Sequence, residues 1–439
     1  MMRLSYRPEF VSIGSVFINA LSRVTELDSG LITGPSQYAH LPDGTITAGH
    51  SHETLQKIES QLAIVVPCMD EELPILRGVL SGIPHHSRII VVSNSNASNF
   101  QAERNLISEL SRFKPHQPIL VHQTSVSLAR AFSAAGMPQV LHAEISSPGR
   151  LRSGKGEAMM AGTALAKLSG ADFVGFIDAD NFVPGAVHEY CKVFTAGLFH
   201  AVNAPPFPSV HGNATDEQPL AMVRIKWKTK PKIVDGKLVH RDAGRCSRVV
   251  NKWMNRLLDG VASGSDDVSE FISTANAGEH AMSMELAMKL QFATGYAVEP
   301  YQLVDLLERS APRRVLPTPP ASPRLGMFSG SDEIRPVERS LLGRDVSIVQ
   351  IETMNPHIHD FGKGDTHIAH MQAQGLGTVF HSQRIQPEVK KELQAYIEAE
   401  LAMVVEDGGI PEEARVYPAM EDIDWERFRY AFGDLHSLE

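Results

Sequence analysis

The stretch Phe173-Val174-Gly175-Phe176-Ile177-Asp178-Ala179-Asp180-Asn181 reads as a short apolar strand that ends in two carboxylates. A continuous apolar run of this length suits a strand buried on both faces. In extended backbone, residues i and i+2 point the same way, so Asp178 and Asp180 face one side. Two such carboxylates suit a hard cation bridging to diphosphate oxygens, because magnesium commonly takes one or two carboxylates plus substrate phosphate. A bare Asp-x-Asp is common in solvated loops. Here the buried strand directly before it and the asparagine directly after it favour a site.

Working outward, the preceding residues alternate strand and helix. Ala63-Ile64-Val65-Val66-Pro67 reads as a buried strand, Glu71 to Leu80 as a helix, and Arg88 to Val92 as a second strand followed by polar Ser93 to Asn96. A helix from Asn99 to Phe113, a strand at Ile119 to Val121 and a helix from Glu157 to Leu168 complete the series. Strands separated by helices of ten or more residues imply βαβ units, an α/β class and a largely parallel sheet. Ligands of such sheets bind beyond the carboxyl ends of the strands. Three polar segments fall there: Pro67-Cys68-Met69-Asp70-Glu71, Ser93 to Asn96, and Asp178 to Asn181.

Residues 1–60 read as an N-terminal extension packed on the core, and 61–204 as the α/β half that takes the nucleotide. Residues 205–385 read as the acceptor half, and 386–439 as a C-terminal helical segment. Within these, Ala201 to Ala204 is expected to be a strand, while Arg245 to Leu258 and Gly278 to Phe292 are expected to be helices. Residues 311–323 are rich in proline and serine and are expected to form a flexible loop. Gln386-Pro387-Glu388 opens a charged amphipathic helix, with proline suited to the first turn.

The chain has 439 residues, 43% of them hydrophobic, and a net charge of −10. That balance disfavours a general nucleic-acid binder, which carries a basic stripe. Three scattered cysteines, Cys68, Cys191 and Cys246, argue for a reducing compartment and against a thiol-built zinc site. The start MMRLSYRPEF lacks a signal-peptide pattern, and the apolar runs are strand-sized, so a cytoplasmic location without membrane contact is expected.

Four further segments carry chemistry. Arg150-Leu151-Arg152-Ser153-Gly154-Lys155-Gly156-Glu157 places three cations and two glycines ahead of a helix, where the helix N-terminus favours anions and Lys155 can reach a phosphate. Its spacing is not that of a P-loop. The turn at Pro67 to Glu71 can cup a nucleoside, although acids at a helix start are ordinary. Asp242-Ala243-Gly244-Arg245-Cys246-Ser247 opens a helix with donors for an anionic acceptor. Asn355-Pro356-His357-Ile358-His359-Asp360 holds two histidines at i, i+2, either of which can complete a metal shell.

Taken in order, these segments together with Gly295-Tyr296-Ala297-Val298-Glu299 resemble the mannosyl-3-phosphoglycerate synthase family, and more distantly glucosyl-3-phosphoglycerate synthases. The resemblance implies a GT-A fold: a mixed sheet flanked by helices, with a mainly helical C-terminal part. It implies retaining transfer of mannose from GDP-mannose to 3-phosphoglycerate with Mg2+, Mn2+ or another divalent cation, and it admits a homodimer. Carried over by motif, Pro67, Met69, Glu71, Ser93, Asn94, Lys155, Asp178, Ala179 and Asp180 bind the donor. Gly244, Arg245, Ser247 and Asn251 bind the acceptor. Asp180, Asp178 and His357 (or His359) bind the metal, and Asp178, Asp180, Lys155 and Glu299 are catalytic. GDP-glucose as donor, or glucosyl transfer to the same acceptor, is the near alternative. A nucleotidyltransferase is the distant one, disfavoured because Cys68-Met69-Asp70-Glu71 has no glycine after the first strand.

Overall fold

The side chains of Leu62–Cys68 alternate between two cores. Leu62, Ile64 and Val66 enter one hydrophobic cluster, and Ala63 and Val65 enter the other. A strand buried on both faces needs helices above and below it. The helix Lys155–Leu168 supplies one cover and the helix Pro184–Asn203 the other. Packing is tight enough that a Cβ at Gly162 would lie 2.2 Å from Val65 Cγ1. The computed structural model describes residues 2–27, 37–142, 149–181, 183–203, 218–229, 232–234, 237–240, 244–259, 270–310, 343–358, 365–406 and 408–433.

Among the described residues, thirteen strands form one sheet. Phe173–Phe176, Leu62–Cys68, Arg88–Ser93 and Ile119–His122 run parallel at one end, as expected from the βαβ pattern. Next to Phe173–Phe176 lies His280–Ser283, antiparallel to it and also to Leu220–Lys226 on its far side. Leu220–Lys226 is in turn parallel to Val346–Glu352. The sheet is therefore mixed and flanked by helices, and one antiparallel strand joins its two parallel groups. No described helix is long and apolar enough to cross a membrane.

Several local readings need correction. Ala201, Val202 and Asn203 are the last residues of the helix Pro184–Asn203 rather than a strand. The run Gly278 to Phe292 is not one helix: it contains the strand His280–Ser283, the short helix Met284–Lys289 and the strand Phe292–Ala293. Its apolar residues look helical in isolation, but ladder pairing on both sides in the sheet centre decides the outcome. The N-terminal segment is part of the sheet: Ser22–Leu27 and Val16–Asn19 pair with Val346–Glu352, and Met2–Tyr6 pairs with Ser22–Leu27. Ala204 and the segment 311–323 lie outside the described residues. The amphipathic C-terminal helix spans Pro387–Glu400 and buries Val389, Leu393 and Ile397 along one face.

An aromatic cluster fastens the N-terminal strands to the helix Pro184–Asn203. The Tyr6 ring stacks on His200 with centroids 3.7 Å apart, and the Tyr6 hydroxyl lies 3.5 Å from His50 Nε2. Burial pushes both imidazoles down to about 4. Unfolded histidines take up a proton near pH 6.5, so the stability these two contribute is complete above that value and is lost as pH falls toward 4. The denaturant midpoint should therefore fall between pH 7 and 4.5, and a His50→Gln/His200→Phe double variant should lose much of that slope. An unaltered slope in the double variant would contradict this role.

Candidate functional site

The strand register builds the site. Phe176 pairs with His280, which sets Glu279 opposite Ile177, directly beside the Asp178-Ala179-Asp180 turn. Trp227 follows the carboxyl end of Leu220–Lys226, and His357 lies just beyond the carboxyl end of the parallel neighbour Val346–Glu352. Residues far apart in the chain thus meet at one sheet edge.

The cluster that forms there is strongly anionic. Lys155 Nζ lies 2.6 Å from Asp178 Oδ1 and 2.7 Å from Glu299 Oε1. Burial alone would depress the Lys155 pKa, but the two carboxylates hold it well above the ordinary lysine value. Asp180 is buried, and its charge and that of Asp178 act on Glu279. Burial first, then these two aspartates, push Glu279 up to about 8, against the opposing pull of Lys155. Trp227 Nε1 donates to Glu279 Oε2 at 2.9 Å, while Glu279 Oε1 and Glu299 Oε2 are buried with no hydrogen-bond donor among the described residues.

His357 completes the wall. It is buried, stacks on Trp227 at 4.1 Å, and its Nδ1 lies 3.2 Å from the Tyr190 hydroxyl and 3.9 Å from Glu279 Oε1. Its loop is held by Glu189, whose carboxylate accepts from the Met354 and Asn355 N–H groups at 2.6 and 2.8 Å. His359 lies outside the described residues. Hard oxygen donors with excess negative charge and unsatisfied buried oxygens fit a divalent cation. Among the described residues no three His, Cys, Asp or Glu side chains already form a metal cage. The expected set of Asp180, Asp178 and His357 is therefore not gathered as a three-residue cage among the described residues.

The turns after the first two parallel strands are locked together. Asp70 has φ of +56°, a left-handed conformation that aspartate tolerates better than most residues. Its N–H donates to Ser95 Oγ at 2.7 Å, and its Oδ1 accepts from the Asn96 N–H and from the Asn99 amide. Asn94 Nδ2 donates to Ser153 Oγ at 2.6 Å, and Gln123 Nε2 donates to the Arg152 and Gly154 carbonyls. This network ties the turn that carries Met69 and Asp70 to Asn94 and, through Ser153, to the segment that leads into Lys155. Ser93 is fully buried and accepts from the Ser95 N–H, so it shapes the turn from behind rather than facing a ligand. Ala179 is also buried.

The glycines around Lys155 serve close contact within the chain rather than a phosphate cradle. A Cβ at Gly156 would meet the Ala293 carbonyl at 1.9 Å, and one at Gly278 would lie 2.5 Å from Asp178 Oδ2. Glu157 is buried and ties the start of its helix to the 294–295 turn, accepting from the Tyr417 hydroxyl at 2.7 Å and from the Gly295 N–H at 3.3 Å.

A cleft of about 660 Å³ adjoins this corner, lined among others by Trp227, Gly244, Ser247, Asn251 and Asn276. Three of the residues expected at the acceptor, Gly244, Ser247 and Asn251, line this one cleft. Arg245 does not line the cleft; its guanidinium is paired with Asp365. Glu279, Trp227, Tyr190 and Asp70 were not identified from the sequence. A carboxylate just before a buried central strand was the available signal for Glu279, hidden because the segment reads as a helix.

The Lys155–Glu299 pair makes a direct energetic prediction. Lys155→Met strands a buried carboxylate and should cost about 3–5 kcal/mol in denaturant unfolding. Adding Glu299→Gln should recover a large part of that loss. Simple additivity of the two substitutions would contradict the pairing.

A family model described as mannosyl-3-phosphoglycerate synthase matches residues 7–432. The mannosyl-3-phosphoglycerate synthase of Pyrococcus furiosus is 33% identical over 419 residues, covering 94% of this chain and 93% of the relative. That of Aeropyrum pernix is 33% identical over 395 residues, covering 89% and 88%. A solved structure of glucosyl-3-phosphoglycerate synthase from Mycobacterium tuberculosis, in complex with Mn2+, UDP-glucose and phosphoglyceric acid, is similar with a TM-score of 0.46 at 18% identity, over 89% of this chain and 99% of that one. On the family model and the two relatives, the chain belongs to the mannosyl-3-phosphoglycerate synthase family.

Proposed function

We propose that the protein transfers mannose from GDP-mannose to 3-phosphoglycerate with retention at the anomeric carbon. Family membership supports the reaction, and the observation that carries the site is the acidic corner of Asp178 and Asp180, with Lys155 paired to Asp178 and to Glu299 and Glu279 behind them, beside a cleft. The rim from Pro67 to Glu71, with Asn94, takes the nucleoside side of the donor. Asp180 and Asp178 are the residues that would hold a divalent cation, Mg2+ or Mn2+, with His357 nearby. Bound there, it would supply Lewis-acid stabilisation of the departing diphosphate.

Lys155 then acts as a fixed positive charge at the edge of the diphosphate site, kept in place by Glu299. Its ammonium is pre-oriented, so it costs little reorganisation when negative charge develops on the leaving group. Trp227 and His357 form a stacked wall that excludes water from the reacting carbon. The bond from the sugar to the β-phosphate breaks, and a bond to the acceptor hydroxyl forms on the same face. The hydroxyl proton passes to the departing diphosphate oxygen, giving GDP and mannosyl-3-phosphoglycerate.

Incubation with GDP-mannose, 3-phosphoglycerate and Mg2+ should release GDP in step with a new phosphorylated glycoside detected by mass. GDP-glucose and UDP-glucose added in competition should be poorer donors. Asp180→Asn should lower kcat by about 100-fold or more. Release of pyrophosphate in place of GDP, or near-normal turnover by the variant, would overturn this reading.

A further inference from the structure

A buried carboxylate lies beneath the turn that follows the strand Leu62–Cys68. Glu103 sits on the helix Ala97–Leu110, whose core face is Glu103, Leu106 and Ile107, and it is 1% exposed. Its Oε1 accepts from Ser95 Oγ at 2.6 Å and from Cys68 Sγ at 3.4 Å. Its Oε2 is buried with no hydrogen-bond partner among the described residues. An apolar side chain at this core position would avoid that desolvation cost, so stability alone does not account for a carboxylate there.

The two donors show what this carboxylate fixes. Ser95 Oγ accepts the Asp70 N–H at 2.7 Å, so its single proton goes to Glu103. Asp70 has φ of +56°, a backbone state that persists only where the surrounding structure over-determines it. Ser95 is anchored through its backbone as well. Its N–H donates to Ser93 Oγ at 3.2 Å, and its carbonyl accepts from His122 Nε2 at 2.9 Å, because His122 Nδ1 is taken by the Thr124 N–H. Burial first, and then the Glu103 charge, push the Cys68 thiol up, so it stays an S–H that donates to Glu103. One buried oxygen thus holds the turn at both ends, Cys68 directly and Asp70 through Ser95, with the exposed Met69 between them.

We propose that Glu103 is a positioning residue for the nucleoside diphosphate: acting through Ser95 and Cys68, it fixes the 68–70 turn in the conformation that receives the donor. This rests on the transferase reading above, in which the rim from Pro67 to Glu71 takes the nucleoside side of the donor. A turn ordered before the ligand arrives spares binding the cost of ordering it. The acidic corner and the cleft wall are braced by other groups, Lys155 by Glu299 and the Thr274 carbonyl by Arg224. Loosening the turn therefore weakens donor binding and leaves acceptor binding as it was.

The test combines calorimetric binding of GDP with Mn2+ present, steady-state kinetics and thermal melts, on the full chain and its Glu103→Met, Glu103→Gln and Ser95→Ala variants. Methionine removes the acceptor, glutamine keeps an accepting oxygen at the same reach, and alanine at position 95 cuts the relay. Glu103→Met and Ser95→Ala should each weaken GDP binding and raise the donor KM about tenfold, as loss of a hydrogen bond to a charged group does. Their kcat and acceptor KM should stay within threefold, and Glu103→Gln should stay within threefold of wild type throughout. The double variant Ser95→Ala/Glu103→Met should lose no more than either single one. A fall in Tm of Glu103→Met with donor and acceptor KM moving together would mark a merely structural carboxylate and overturn the assignment. GDP affinity and donor KM within twofold of wild type in both Glu103→Met and Ser95→Ala would overturn it too, while leaving the transferase reading intact. The expected pattern of GDP binding in a protein that transfers no sugar would uphold the assignment and overturn the transferase reading.

Discussion

A single buried ammonium shared between two carboxylates organises the acidic edge of this sheet. Lys155 bridges Asp178 on one side and Glu299 on the other, at 2.6 and 2.7 Å. Asp178 and Asp180 both raise the pKa of the neighbouring Glu279, and Lys155 lowers it. Burying several like charges is costly unless they are paired or hydrogen-bonded. The fold supplies part of the compensation through Trp227 and leaves the rest as excess negative charge. That residual charge is what makes the corner chemically useful, because it can recruit a cation and, through it, a diphosphate.

The scaffold explains how such a corner can be held in place. Arg224 is fully buried behind it, donating through Nε to the Thr274 carbonyl at 2.9 Å and through Nη2 to the Ala275 and Glu299 carbonyls at 3.1 Å. One guanidinium thus ties the cleft wall to the helix that presents Glu299. A planar fork with five donors suits this task, and lysine does not reproduce it. Glu157, Glu189 and Asp70 do comparable work around the rim, each with a carboxylate that fixes backbone N–H groups of a loop. The loops at the site are therefore braced by charged hydrogen bonds, while the helices on the two sheet faces are braced by apolar packing.

Much of this was legible in the chain. The apolar runs ending at Pro67, Val92 and Ile177 marked parallel strands, and the polar segments after them marked the candidate site. Local periodicity resolves these elements because burial on both faces leaves an uninterrupted apolar signature. What stayed hidden depends on pairing between distant segments. The strand His280–Ser283 is enforced by neighbours on both sides, so its apolar content alone resembles a helix and Glu279 was overlooked. Arg245 fits an anion motif by spacing, but Asp365 is 120 residues away in sequence and claims it.

The central claim is that the acidic corner works by coupling a cation to a nucleoside diphosphate. Isothermal titration of GDP into the protein, with Mn2+ present and with chelator instead, measures that coupling directly. The account predicts GDP affinity about tenfold or more higher with Mn2+, within the usual range of coupling between two sites, and a collapse of that difference in Asp180→Ala. Equal GDP affinity with chelator, or full coupling retained by the variant, would contradict it.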